Sequence, residues 1–142
     1  MTPQEVAQSV IELIETHPDS WRQRTWGYPV EDVTNPCGTQ CCIAGWTVNI
    51  VHGEELRNAP TQDDYGDRMS LGEAVIEVFD RSITEVAGRA LGLDDNTSSK
   101  LFFCYDHVHA LDMLKLIADC EPGKEVDVVL NYKRKDANDE QV

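Results

Sequence analysis

Basic residues are scarce in this chain. Twelve lysines and arginines stand against 26 aspartates and glutamates, a formal net charge of −14 over 142 residues. Binding to nucleic acid without regard to sequence needs clustered Lys and Arg on phosphates, so that class is excluded. A field of this sign also repels anionic membrane surfaces and favours basic partners. Solubility alone is the plainer account of the same charge. Long apolar runs are missing too. None approaches the roughly 20 residues of a membrane-spanning helix. The opening Met1-Thr2-Pro3-Gln4-Glu5 lacks the basic residues and apolar block of a signal peptide. No Gly-rich phosphate loop and no GxGxxG occurs, which leaves nucleotide binding without a motif. There is no C-x-x-C pair, and five cysteines is an odd number for a disulfide framework. Free thiols in a reducing compartment follow, so the expected location is the cytoplasm.

The hydrophobic content of 41% suits one packed domain of this length. That domain is expected to span residues 1–132, with the polar residues 133–142 as a disordered tail. The periodicity is helical almost throughout. Thr2-Pro3-Gln4-Glu5 is a capping box with Pro in the first turn, and Val6, Val10, Leu13 and Ile14 recur on one face. Pro18 should end that helix. Residues 18–36 carry Trp21, Trp26 and Tyr28 and read as an ordered loop packed over the core, with ligand stacking by the tryptophans as the sharper alternative. Ser70-Leu71-Gly72-Glu73 and Ser82-Ile83-Thr84-Glu85 open two further helices. Asp94 to Thr97 leads into another, and Asp106 caps a last one ending before Pro122-Gly123. Val126, Val128, Leu130 and Tyr132 alternate, which predicts a strand or extended arm.

The chain is organised around Pro36-Cys37-Gly38-Thr39-Gln40-Cys41-Cys42-Ile43-Ala44-Gly45-Trp46, which runs into Thr47-Val48-Asn49-Ile50-Val51. Apolar residues on almost every side predict a buried central helix over about 39–52. Thr39 is its expected N-cap and Gly53 its expected C-terminal cap. The fold class expected is therefore mainly α: five to six helices around this segment, with a short extended C-terminal arm.

Cys37-Gly38-Thr39-Gln40-Cys41-Cys42-Ile43-Ala44-Gly45-Trp46 resembles a C-G-T-x-x-C-x-A-G-W motif of small, uncharacterised proteins from actinobacterial phages and prophages. Gln23-Arg24-Thr25-Trp26 upstream, and Ala87 to Leu93 with Leu101-Phe102 downstream, extend the likeness over about residues 20–105. The resemblance implies a phage-type origin and a mostly helical domain, and it implies no activity.

Three constellations could carry chemistry. Cys37, Cys41 and Cys42 sit around a helix N-terminus, where amides and the helix dipole favour a thiolate. His107 or His109, oriented by Asp106 or Asp112, would be the base of a thiol enzyme. Cys104-x-x-His107-x-His109 with Cys37 or Cys41 could hold zinc, although i and i+2 positions point apart on a helix. The plain accounts are a small core residue for Cys42 and surface histidines on a loop. Third, Glu54, Glu55, Asp63, Asp64, Asp67, Glu73, Glu77 and Asp80 fall in one 27-residue stretch. Regularly spaced carboxylates on a helix can imitate a DNA backbone and occupy a DNA-binding protein. The expected function is that of a non-catalytic phage accessory protein without a cofactor. It would bind a bacterial host protein through Asp63, Asp64, Glu73, Glu77 and Asp80, with Trp21, Trp26 and Tyr65 as anchors. The alternative is a thiol- or zinc-dependent protein using Cys37, Cys41, Cys104, His107 and His109.

Overall fold

The computed structural model describes residues 1–36 and 39–133. It is mainly α-helical, with seven helices and no strand among the described residues. The order is α1 (Pro3–Thr16), a short 3-10 turn (Pro18–Ser20), α2 (Ile43–Leu56), α3 (Leu71–Phe79), α4 (Ile83–Ala90), α5 (Asp95–Phe102), α6 (His107–Asp119) and α7 (Glu125–Leu130). Among the described residues, no helix is long and apolar enough to cross a membrane.

Local chemistry sets the boundaries. Thr2 Oγ1 accepts the Glu5 amide while Glu5 accepts the Thr2 amide, closing the capping box of α1. Ser70, Ser82 and Asp94 each accept the N3 amide of α3, α4 and α5. Asp106 accepts the amides of Val108 and His109 at the start of α6. Gly92 takes φ +73°, and the Leu93 amide turns back onto the Gly88 carbonyl at 2.8 Å, which buries Leu93 and ends α4.

The core forms where α2 passes between its neighbours. It packs on α1, α3 and α4, and every residue from Ile43 to Asn49 is buried. Helices α1 and α6 pair, and α4, α5 and α7 close the far side. The expected central helix is present, but its ends lie elsewhere. Cys42 is the N-cap of α2, not Thr39. Gly53 does not cap it either: the helix bends at His52 (φ −120°, ψ 23°) and continues to Leu56. Glycine at the next position is a usual companion of such a kink.

The expected extended C-terminal arm is corrected. Residues 125–130 form a helix, with Val128 and Asn131 amides bonded to the Lys124 and Asp127 carbonyls. Glu125 and Val129 are its buried residues, spaced i, i+4. Among the described residues no strand lies beside this segment to satisfy an extended backbone, and its amides pair internally. The tail expected from 133 onward lies, beyond Lys133, outside the described residues.

Candidate functional site

The loop between α1 and α2 is irregular, and two buried amides fasten it. Gln23 is 3% exposed. Its Oε1 accepts the Trp21 indole N–H at 2.9 Å and the Ile43 amide at 2.8 Å. Its Nε2 donates to the Cys104 carbonyl at 3.1 Å. One side chain thus joins the loop, the first turn of α2 and the approach to α6. Asn49, also buried, works one turn deeper. Its Oδ1 accepts the Val30 amide at 3.0 Å and its Nδ2 donates to the Tyr28 carbonyl at 3.1 Å. Buried loop backbone needs such partners, because each orphaned group costs about 1–3 kcal/mol.

The Cys-Gly-Trp motif completes this clasp. Cys42 Sγ accepts the Gly45 amide at 3.4 Å, and Trp46 Nε1 donates to the Ser20 carbonyl at 2.7 Å. Gly45 has no side chain because the Trp26 carbonyl occupies that space. Gly27, at φ +84°, lies against the Cys41 side chain in the same way. Cys41 sits in a parallel bridge opposite Trp21, one residue ahead of the N-cap, and is fully buried. Its Sγ turns toward the Tyr28 carbonyl and Asn49 Nδ2.

These surroundings place Cys41 and Cys42 in the core, in line with the plain account of Cys42 rather than with an open thiol at a helix N-terminus. Burial pushes the Cys41 thiol up to about 12 and the Cys42 thiol up to about 11. The amides of Gly45 and Ala44 pull Cys42 the other way, but desolvation outweighs them. Cys37 lies outside the described residues.

The start of α6 gathers the other candidates. His107 stacks on Trp21, ring centroids 4.1 Å apart and 14° from parallel, and its Nε2 accepts the Gln23 amide at 3.4 Å. Trp21 is therefore core, 9% exposed, and not the exposed anchor expected; Trp26 is half-buried, edge-on to Phe103. His109 points elsewhere, as i, i+2 spacing requires. Its Nδ1 meets the Tyr132 hydroxyl at 2.7 Å, and that hydroxyl donates to Asp112 Oδ2 at 3.2 Å. Burial and the Asp112 carboxylate together raise the Tyr132 phenol. Lys100 Nζ donates to the Tyr132 and Leu130 carbonyls, fastening the end of α7. Cys104 Sγ donates to the Asp106 carbonyl at 3.6 Å. Among the described residues, no three His, Cys, Asp or Glu side chains converge as a metal site. His107 and His109 face different neighbours, His107 the Trp21 ring and the Gln23 backbone N–H, His109 the Tyr132 hydroxyl and, at 3.9 Å, Asp106 Oδ2.

The acidic segment is at the surface. Asp64, Asp67, Glu73, Glu77 and Asp80 are exposed. Asp63 is partly committed: its Oδ1 accepts the Tyr65 and Asp67 amides and closes the loop before α3. Asp80 is not a third helical carboxylate in a row. It terminates α3 in the left-handed region, at φ 53°. Two apolar residues stand among these charges, Tyr65 at 91% exposed and Ile76 at 56%. Sequence reasoning passed over Gln23, Asn49 and Ile76. A polar residue in an apolar run marks Asn49, whereas only tertiary contacts distinguish Gln23.

No family model matches this sequence, and no curated protein or solved structure matches it either.

Proposed function

We infer that this chain is a non-catalytic accessory protein whose surface around residues 63–80 binds a basic protein. The supporting observation is Tyr65. An aromatic side chain 91% exposed, on a loop closed by its own hydrogen bonds and flanked by Asp64 and Asp67, contributes little to the fold. It suits a contact anchor surrounded by steering charge. Glu73, Ile76 and Glu77 on the exposed side of α3 extend the same chemistry. The burial of Cys41 and Cys42 weighs against the thiol alternative.

The likeness of the Cys37–Trp46 motif to phage proteins supplies the setting: a phage-encoded protein that occupies a bacterial host protein in the cytoplasm, in the manner of a DNA mimic. The test is capture from bacterial lysate by wild type, by Glu73→Lys/Glu77→Lys and by Tyr65→Ala, followed by direct titration of the purified partner. The reading expects a basic partner whose affinity falls in both variants and weakens with salt. A partner bound equally by all three proteins would refute it.

A further inference from the structure

A cleft of about 740 Å³ opens between the 3-10 turn, the Trp21–Tyr28 loop and Arg68. It lies on residues that the proposed binding surface does not use, apart from the loop position of Arg68. Two guanidinium groups line it, Arg22 and Arg68, together with the threonines Thr16, Thr25 and Thr39. An adjoining cleft of about 900 Å³ shares Arg68 and Thr39 and adds Arg57.

In a chain with 26 carboxylates, a guanidinium readily finds an acidic neighbour, as Arg81 does with Glu85. Among the described residues, neither Arg22 nor Arg68 forms an ion pair, although Asp19 also lines the cleft. Arg68 is held in place by another means. Its guanidinium lies over the Tyr28 ring, 4.2 Å from the centroid. That contact uses no N–H donor, and no hydrogen bond of the Arg68 guanidinium is formed among the described residues, so its donors are available to an oxyanion, which Arg can bind through two oxygens at once. Like charges gathered on one cleft are most stable with an anion between them. The donors also exceed what a carboxylate needs: two guanidiniums and the threonines match the several oxygens of a phosphoryl group better than the two of a carboxylate.

We propose that this cleft binds a small phosphate-bearing ligand, with Arg22 and Arg68 as its oxyanion contacts. The net charge of −14 opposes any anion at long range, so binding here depends on these two residues and not on the general field.

The test is calorimetric titration of the full chain with inorganic pyrophosphate, and with citrate as the carboxylate comparison. Saturable 1:1 binding is expected. Arg22→Gln and Arg68→Gln should each weaken it at least about tenfold, the size of one lost charge-assisted hydrogen bond. Arg89→Gln, on α4 and outside the cleft, should leave it unchanged. Arg68→Lys retains the charge but loses the planar fork and should also weaken it, while an unchanged far-UV spectrum verifies folding. Absence of saturation, equal loss in Arg89→Gln, or citrate binding as tightly as pyrophosphate would each overturn the proposal.

Discussion

The backbone carbonyl of Trp26 occupies the space that a side chain at Gly45 would need. This contact sets how closely the Trp-rich loop approaches α2, and both partners are constrained: one is backbone, the other sits in the first turn of a buried helix. Gly45→Ala is therefore expected to destabilise the protein by about 1–3 kcal/mol, the usual cost of overpacking a filled core. Chemical denaturation of the two proteins measures it. The contrast is Gly53→Ala, where a side chain meets open space and no comparable loss is expected.

Gln23 gives a sharper prediction. Gln23→Leu keeps much of the volume but strands the Trp21 indole, the Ile43 amide and the Cys104 carbonyl. Each stranded group costs about 1–3 kcal/mol, and since they share one site the costs do not simply add. A loss of roughly 2–5 kcal/mol is expected, seen as a lower denaturation midpoint with an altered near-UV tryptophan signal.

The buried thiols predict a pH dependence. Cys41 and Cys42 are raised in the folded protein, from an ordinary 9.0 to about 12 and about 11. In the unfolded chain they ionise first, so their contribution is fully present below pH 9 and is lost as pH climbs from there through 11 to 12. Stability should fall over that window with a slope approaching about 1.4 kcal/mol per pH unit for each thiol. Cys41→Ala, whatever it costs at neutral pH, should show a shallower slope above pH 9.

The acidic surface should be thermodynamically quiet. Glu77 is exposed and has no described partner in a hydrogen bond or ion pair, so Glu77→Lys should shift stability by less than about 0.5 kcal/mol. Asp80→Gly should stabilise by less than about 1 kcal/mol, the relief of left-handed strain at φ 53° being partly offset by the greater freedom of glycine in the unfolded chain. Thermal unfolding distinguishes the two. The small shift allows Glu77→Lys to be read as a test of binding rather than folding, whereas Glu73→Lys also removes the carboxylate that accepts the Ser70 hydroxyl at the start of α3.

Metal removal gives a further check. Because His107 Nε2 accepts the Gln23 amide and His109 Nδ1 meets Tyr132, chelator treatment is expected to leave the melting temperature and native mass unchanged. A bound zinc ion lost to the chelator would instead restore the Cys104–His107–His109 alternative.

Much of the fold was legible because it rests on short-range rules. The caps at Thr2, Ser70, Ser82, Asp94 and Asp106 are side chains bonding amides two or three residues on, and such pairs lie adjacent in the sequence. The Gly92 turn is equally local. The misreadings share the opposite property. Six residues at 125–130 are too few to separate period 2 from 3.6, and only the surface they pack against decides. Thr39 makes a good N-cap in isolation, but the Cys41 backbone is taken by the Ser20 carbonyl and the Arg22 amide, which delays the helix to Ile43. The packing of Trp21 over the core was legible, but its withdrawal from the binding surface was not, because nothing near it in sequence indicates the imidazole of His107 across the fold. The motif at 41–46 was visible as a motif; its purpose, holding a loop that precedes it, required the Trp26 and Ser20 carbonyls to be located.

The central claim is that Cys41 and Cys42 build the clasp and are not a reactive centre. The most direct measurement is the labelling rate of these two thiols by a maleimide in native protein at pH 8, read by peptide mass mapping. Their burial and raised thiols predict that both stay unmodified until denaturant is added, while Cys104 and Cys120, which are partly exposed, react first. Rapid labelling of Cys41 or Cys42 in the folded protein would contradict the account and return the thiol chemistry to this helix terminus.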